Sequence, residues 1–270
     1  MTRPANVVCA ILVGLLASSA VAVAQSVATE EQSPNANELP APDLSKDSTR
    51  HAFTYSVIDA ETDRVAVTAL IKSDVVPAMV DAGAALYAIW LPTEIPPDYE
   101  TPKGKYKGTF IGLNDTQLGL MLAWPENDVR ARLLDSALSK LDGVKSVITR
   151  TFVPIYLADG LRVSTGRGFY LHRFNRYRPK DVPEVVRLSR EAWKTFDPKW
   201  GTRTIGLFRE QLGSDDVAQL LRITFYPSSE RWLETRDLTQ EPHSRQRFIE
   251  RLRLLLEGSR IGIATDRLVP

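Results

Sequence analysis

Apolar positions along this chain fall into two rhythms, and each rhythm occurs twice. Val76, Met79, Val80, Gly83, Tyr87 and Trp90 step by three and four, which predicts an amphipathic helix. Val182, Val185, Val186, Ser189, Trp193 and Phe196 repeat that stripe 106 residues later. Both stripes begin at a proline-marked start, Asp74-Val75-Val76-Pro77 and Asp181-Val182-Pro183, and both follow a stretch of strand character, residues 65–71 and 169–177. Downstream, Ile111-Gly112-Leu113 answers Ile205-Gly206-Leu207, and the apolar run 117–124 with Pro125 answers 219–226 with Pro227. Each copy then shows a second helical stripe, with Val129, Leu133, Leu134, Leu138 and Leu141 in one and Phe248, Leu252 and Leu255 in the other. A last strand follows, at 145–157 and 260–268.

Strand, helix, strand, strand, helix, strand is the ferredoxin-like unit, an antiparallel sheet with both helices on one face. The expected fold is therefore α+β, two tandem units over residues 51–159 and 160–270 packing sheet to sheet as a pseudo-dimeric α/β barrel. The alternative is two independent beads. Residues 94–107, with Pro96, Pro97, Pro102 and Gly104, read as a loop inserted in the first copy. Residues 51–58 read as an extra strand with no place in the repeat.

The N-terminus carries Arg3, an apolar run over 7–17 and Ala22-Val23-Ala24 before Gln25. This is the pattern of a signal peptide over residues 1–24, cleaved after Ala24, with export to a periplasm or the outside; an uncleaved anchor is the alternative. No membrane insertion is expected once the leader is removed. Residues 25–50 are too polar to order themselves and read as a tether. Cys9 is the only cysteine and lies in the leader, so the mature chain is expected to have no disulfide, cysteine nucleophile or cysteine-bound metal. A net charge of +1 gives no reason to expect a nucleic-acid partner. That charge is divided, however. Residues 160–270 hold 21 basic and 14 acidic side chains and the rest hold 13 and 19, so the two halves attract.

Alternation sorts the second copy by face. Leu171, Arg173 and Asn175 share one side of a strand, with Tyr170, His172 and Phe174 on the other. The apolar face Leu221, Ile223 and Phe225 is expected to meet the helices, leaving Arg222, Thr224 and Tyr226 toward the space between the sheets. The first-copy counterparts of that polar row, Leu120, Leu122 and Trp124, are apolar. Arg173, Asn175, Arg222 and Thr224 are thus the candidate ligand-binding residues, suited to the carboxylate of a small apolar acid because a guanidinium fork matches it. The alternative is that these arginines pair with acidic residues of the first copy or face water. Arg245, Arg247, Arg251 and Arg253 read as a solvated basic helix face.

The second copy resembles the NIPSNAP-type branch of the dimeric α/β-barrel superfamily. The resemblance rests on Arg173 and Pro179, on Ile205-Gly206-Leu207, and on Arg231 and Arg236 after Tyr226-Pro227. It departs from the family at Leu171, Asn175 and Lys180, where a Glu, a Tyr and a Gly are usual. The resemblance implies a binding protein, a cofactor-free monooxygenase or isomerase, or a haem-handling enzyme. His243 with Trp232 and Asn175 is the set that haem would use; otherwise no cofactor and no metal is expected. His172, in mid-strand, reads as a satisfied core histidine and His51 as exposed. A small-molecule binding module is the leading expectation and an enzyme the alternative.

Overall fold

The computed structural model describes residues 51–61, 63–94, 100–101, 104–105, 113–125, 129–211, 216–256 and 261–268. The leader and tether expected before residue 51 lie outside them.

The chain runs β1 (His51–Ala60), α1 (Arg64–Leu70), a π-helical turn (Ile71–Val75), α2 (Val76–Asp81) and β2 (Ala85–Pro92). After the short pair β3 (Glu100–Thr101) and β4 (Gly104–Lys105) come β5 (Gln117–Pro125), α3 (Ala131–Leu138) and β6 (Val144–Leu157). The second repeat comprises β7 (Phe169–Tyr177), α4 (Val182–Trp200), β8 (Arg203–Glu210), β9 (Ala218–Tyr226), α5 (Ser229–Glu234), α6 (Pro242–Leu254) and β10 (Ile261–Leu268).

Eight strands close into one barrel in the order β1-β5-β2-β10-β7-β9-β8-β6. Each repeat contributes four neighbouring strands in which its own fourth, first, third and second follow one another. β2 of the first repeat meets β10 of the second, and β6 meets β8, so a pseudo-two-fold axis relates the halves. The two units are one compact body rather than separate beads.

The first repeat corrects the sequence reading. Residues 65–71 are helical: Asp63 caps the N–H of Ala66, and Val67, Ile71, Val75 and Met79 are buried at every fourth position, while Val65 is exposed. Pro77 has no N–H to continue the α-helical ladder, and the π turn absorbs the interruption before α2 resumes. The helix ends at Asp81, with Gly83 at φ 96°. Tyr87 and Trp90 therefore belong to β2, and the strand that had no place is β1. Residues 111 and 112 lie outside the described residues; the counterpart of β8 is β2.

A bulge explains how a strand imitated a helix. Tyr87 is an extra residue between Leu86 and Ala88 in the β2–β5 register, so Tyr87 and Trp90, three apart, both join the barrel core. Ile205 is bulged at the matching place in β8. The Tyr87 hydroxyl donates to the Ile205 carbonyl at 3.3 Å, so the two bulges meet inside the barrel. Beside this bulge a Cβ on Gly206 would collide with the ring of Phe208. Gly206→Ala is expected to cost about 1–3 kcal/mol, read as a lower denaturant midpoint with unchanged slope.

Candidate functional site

An eight-stranded barrel is just wide enough for side chains to fill its interior. Here Phe53, Tyr87, Trp90, Phe152, Tyr170 and Phe208 occupy it, with edge-to-face contacts such as Phe53–Tyr87 at 5.2 Å between centroids. One polar chain crosses it. Tyr55 Oη bonds His172 Nδ1 at 2.9 Å and His172 Nε2 bonds Thr265 Oγ1 at 3.1 Å, with the Trp90 ring 4.7 Å from the imidazole. Strand register makes Tyr55 and His172 pseudo-symmetry mates. Burial pushes the imidazole down to about 3, so it is neutral, with both nitrogens engaged. At the Tyr55 side Arg150 donates to Glu210 at 2.7 and 2.6 Å and lies over Phe174.

Because the apolar faces fill the barrel, the polar row is placed opposite to the sequence expectation. Leu221, Ile223 and Phe225 point inward, and Arg173, Asn175, Arg222 and Thr224 lie on the outer face of the sheet, beneath the helices. The four are still brought together. Arg173 and Arg222 are directly opposed on β7 and β9, and Asn175 and Thr224 share their face of the sheet.

Three further groups complete this layer. Arg251 of α6 donates to Ser189 Oγ of α4 at 2.9 Å, and Arg173 Nη1 donates to Tyr226 Oη at 3.5 Å. Arg251 is thus buried rather than on a solvated face. Its signal in the sequence was Ser189, a polar residue in the apolar stripe of α4. Arg173, Arg222 and Arg251 are 5%, 9% and 7% exposed. Among the described residues neither Arg173 nor Arg222 has a carboxylate within salt-bridge distance, and Arg222 Nε and Asn175 Oδ1 have no hydrogen-bond partner. Asp197, whose charge reaches Arg222, accepts from Thr202 Oγ1 at 2.7 Å and the Thr204 N–H at 3.0 Å. Burial, with Arg251 and Arg173 as like-charged neighbours, pushes the Arg222 guanidinium well down. Burial raises the Tyr226 phenol, but Arg173, Arg236 and Arg222 outweigh it and leave it below its ordinary value.

The pseudo-symmetric layer shows what this arrangement replaces. In the first repeat Ser56, Leu120, Leu122 and Trp124 stand where the second has Arg173, Arg222, Thr224 and Tyr226, and its helices and sheet share one continuous apolar core. In the second repeat two apolar clusters, one around Tyr177, Val185 and Leu220 and one around Leu171 and Trp232, are separate. Burying an ion costs several kcal/mol even after relaxation, so the opposed pair Arg173 and Arg222, with no carboxylate at salt-bridge distance among the described residues, is not what stability alone selects. It can hold an anion.

His243 is exposed at the start of α6, while Trp232 is buried against Phe169, under the Arg236 guanidinium. His172 is sealed in the barrel. These residues do not fit a haem ligand set.

No sequence-family model and no curated protein sequence matches this chain. Solved structures do match its fold. An anthrone oxidase-like protein is 11% identical, with TM-score 0.55, over 82% of this chain and 92% of its own. A mutant chlorite dismutase from Candidatus Nitrospira defluvii is 10% identical, with TM-score 0.45, over 84% and 94%. A ferredoxin-fold protein from Listeria monocytogenes related to antibiotic biosynthesis monooxygenases is 9% identical, with TM-score 0.40, over 82% and 96%. The chain's own topology is that of two ferredoxin-like units closed into one α/β barrel, and the anthrone oxidase-like protein shares that fold.

Proposed function

We propose that the protein is an exported binding module that holds a small organic acid in the arginine layer of its second repeat. The observation that carries this reading is the pair Arg173 and Arg222, buried face to face with no carboxylate at salt-bridge distance among the described residues. The apolar groups on either side, Tyr177, Val185 and Leu220 on one and Leu171 and Trp232 on the other, suit the body of an apolar acid. Export by the leader cleaved after Ala24, and a NIPSNAP-like origin of the second repeat through Arg173 and Pro179, belong to the same reading.

The test is a binding titration with benzoate and octanoate, on wild type and on Arg173→Ala. Affinity is expected to fall about tenfold or more in the variant while the unfolding midpoint barely moves, because relief of a buried charge and of its repulsion with Arg222 offsets the cavity that alanine leaves and the lost bond to Tyr226. Binding and stability falling together would make Arg173 structural and remove the reading.

A further inference from the structure

We propose that the group held in this layer is a doubly charged phosphoryl group, so that the ligand class is a phosphate monoester with an apolar or aromatic body. This rests on the acid-binding reading of the same layer and adds the charge and shape of the acid.

The argument is one of matching. Like charges directly opposed across two strands repel, and Arg173 and Arg222 are such a pair, with Arg251 descending on them from α6. A monocarboxylate brings one charge and two oxygens, enough to occupy a single guanidinium fork. It leaves the second strand arginine uncompensated. A phosphate monoester carries close to two charges at neutral pH, one for each of the two opposed strand arginines, and has three terminal oxygens to accept from them. The nearby carboxylate, Asp197, is committed to Thr202 and Thr204 rather than paired with Arg222. Hydroxyl donors of suitable kind are present in Tyr226, Ser189 and Thr224, which supply neutral hydrogen bonds around the charge. Asn175, the least buried of the group, offers its amide oxygen without a hydrogen-bond partner in the same layer. The first repeat, with Leu120 and Ser56 at the equivalent places, has no such layer, so one site per chain is expected.

Calorimetric titration of the full-length mature protein at neutral pH with phenyl phosphate, inorganic phosphate and benzoate decides the matter, with Arg222→Leu alongside. Phenyl phosphate is expected to bind at least about tenfold more tightly than benzoate, inorganic phosphate to compete with it, and Arg222→Leu to weaken it at least about tenfold. Equal binding of benzoate and phenyl phosphate, both lost in Arg222→Leu, would overturn the phosphoryl assignment and leave the acid-binding reading standing. Phenyl phosphate binding that survives Arg222→Leu would place the phosphate elsewhere and also overturn it. No binding by any of the three would remove both readings.

Discussion

Arg222→Leu is expected to make the protein more stable, by about 1–4 kcal/mol, the range seen when buried ionic groups are exchanged for apolar ones. Leucine is what the first repeat already carries at the matching position, Leu120, where it packs in a continuous apolar layer. Three effects act in the same direction. The substitution removes a desolvated charge, relieves its repulsion with Arg173 and Arg251, and eliminates the unpaired Nε. Against these stands the lost packing of the arginine stem, which leucine largely restores. For a domain of this size each kcal/mol shifts the melting temperature by about 2–4 °C, so a rise of several degrees is expected. A structural arginine would do the opposite, since truncating one member of a buried pair costs about 3–5 kcal/mol.

His172 gives the second large effect, this time in acid. Its ring is neutral in the barrel, with its folded value pushed down to about 3, whereas the unfolded chain protonates near the ordinary value of about 6.5. The unfolded state therefore takes up the proton first as the pH falls. The stability at stake is fully present above about 6.5 and drains at about 1.4 kcal/mol per pH unit down to about 3. His172→Gln keeps a donor and an acceptor for Tyr55 and Thr265 but cannot take a proton. Urea unfolding of both proteins between neutral pH and pH 4 is expected to show a shallower acid loss in the variant, by about one proton. Parallel pH dependence would mean that the imidazole is not sealed from solvent.

The second repeat was largely legible because its strands and long helix keep clean periods. Residues 169–177 form the strand expected of them, and α4 carries its stripe from Val182 to Trp200, so both were readable as they stand. In the first repeat the β2 bulge put Tyr87 and Trp90 three residues apart on one side, which is the signature of a helix. The alternation of Val65, Val67 and Ala69 looked like a strand although the buried row there is the fourfold series from Val67. Sequence identified the residues of the candidate site but not their side of the sheet. Alternation separates two faces without saying which meets the helices, and in a closed barrel both are buried. The wholly apolar face took the inside, where polar groups are hardest to satisfy. Arg251 and Ser189 were missed because their meeting depends on how α6 crosses α4, which no local pattern encodes.

The central claim is that the arginine layer lowers stability in order to hold an anion, and one denaturation series tests it. Wild type and Arg222→Leu are unfolded side by side in an anion-poor buffer and then with rising phenyl phosphate. Because a ligand that binds only the folded state stabilises it by mass action, the variant should start as the more stable protein and the wild type should gain on it as ligand is added. If Arg222→Leu is instead the less stable protein and phenyl phosphate leaves the gap unchanged, the layer is a structural element and the account is wrong.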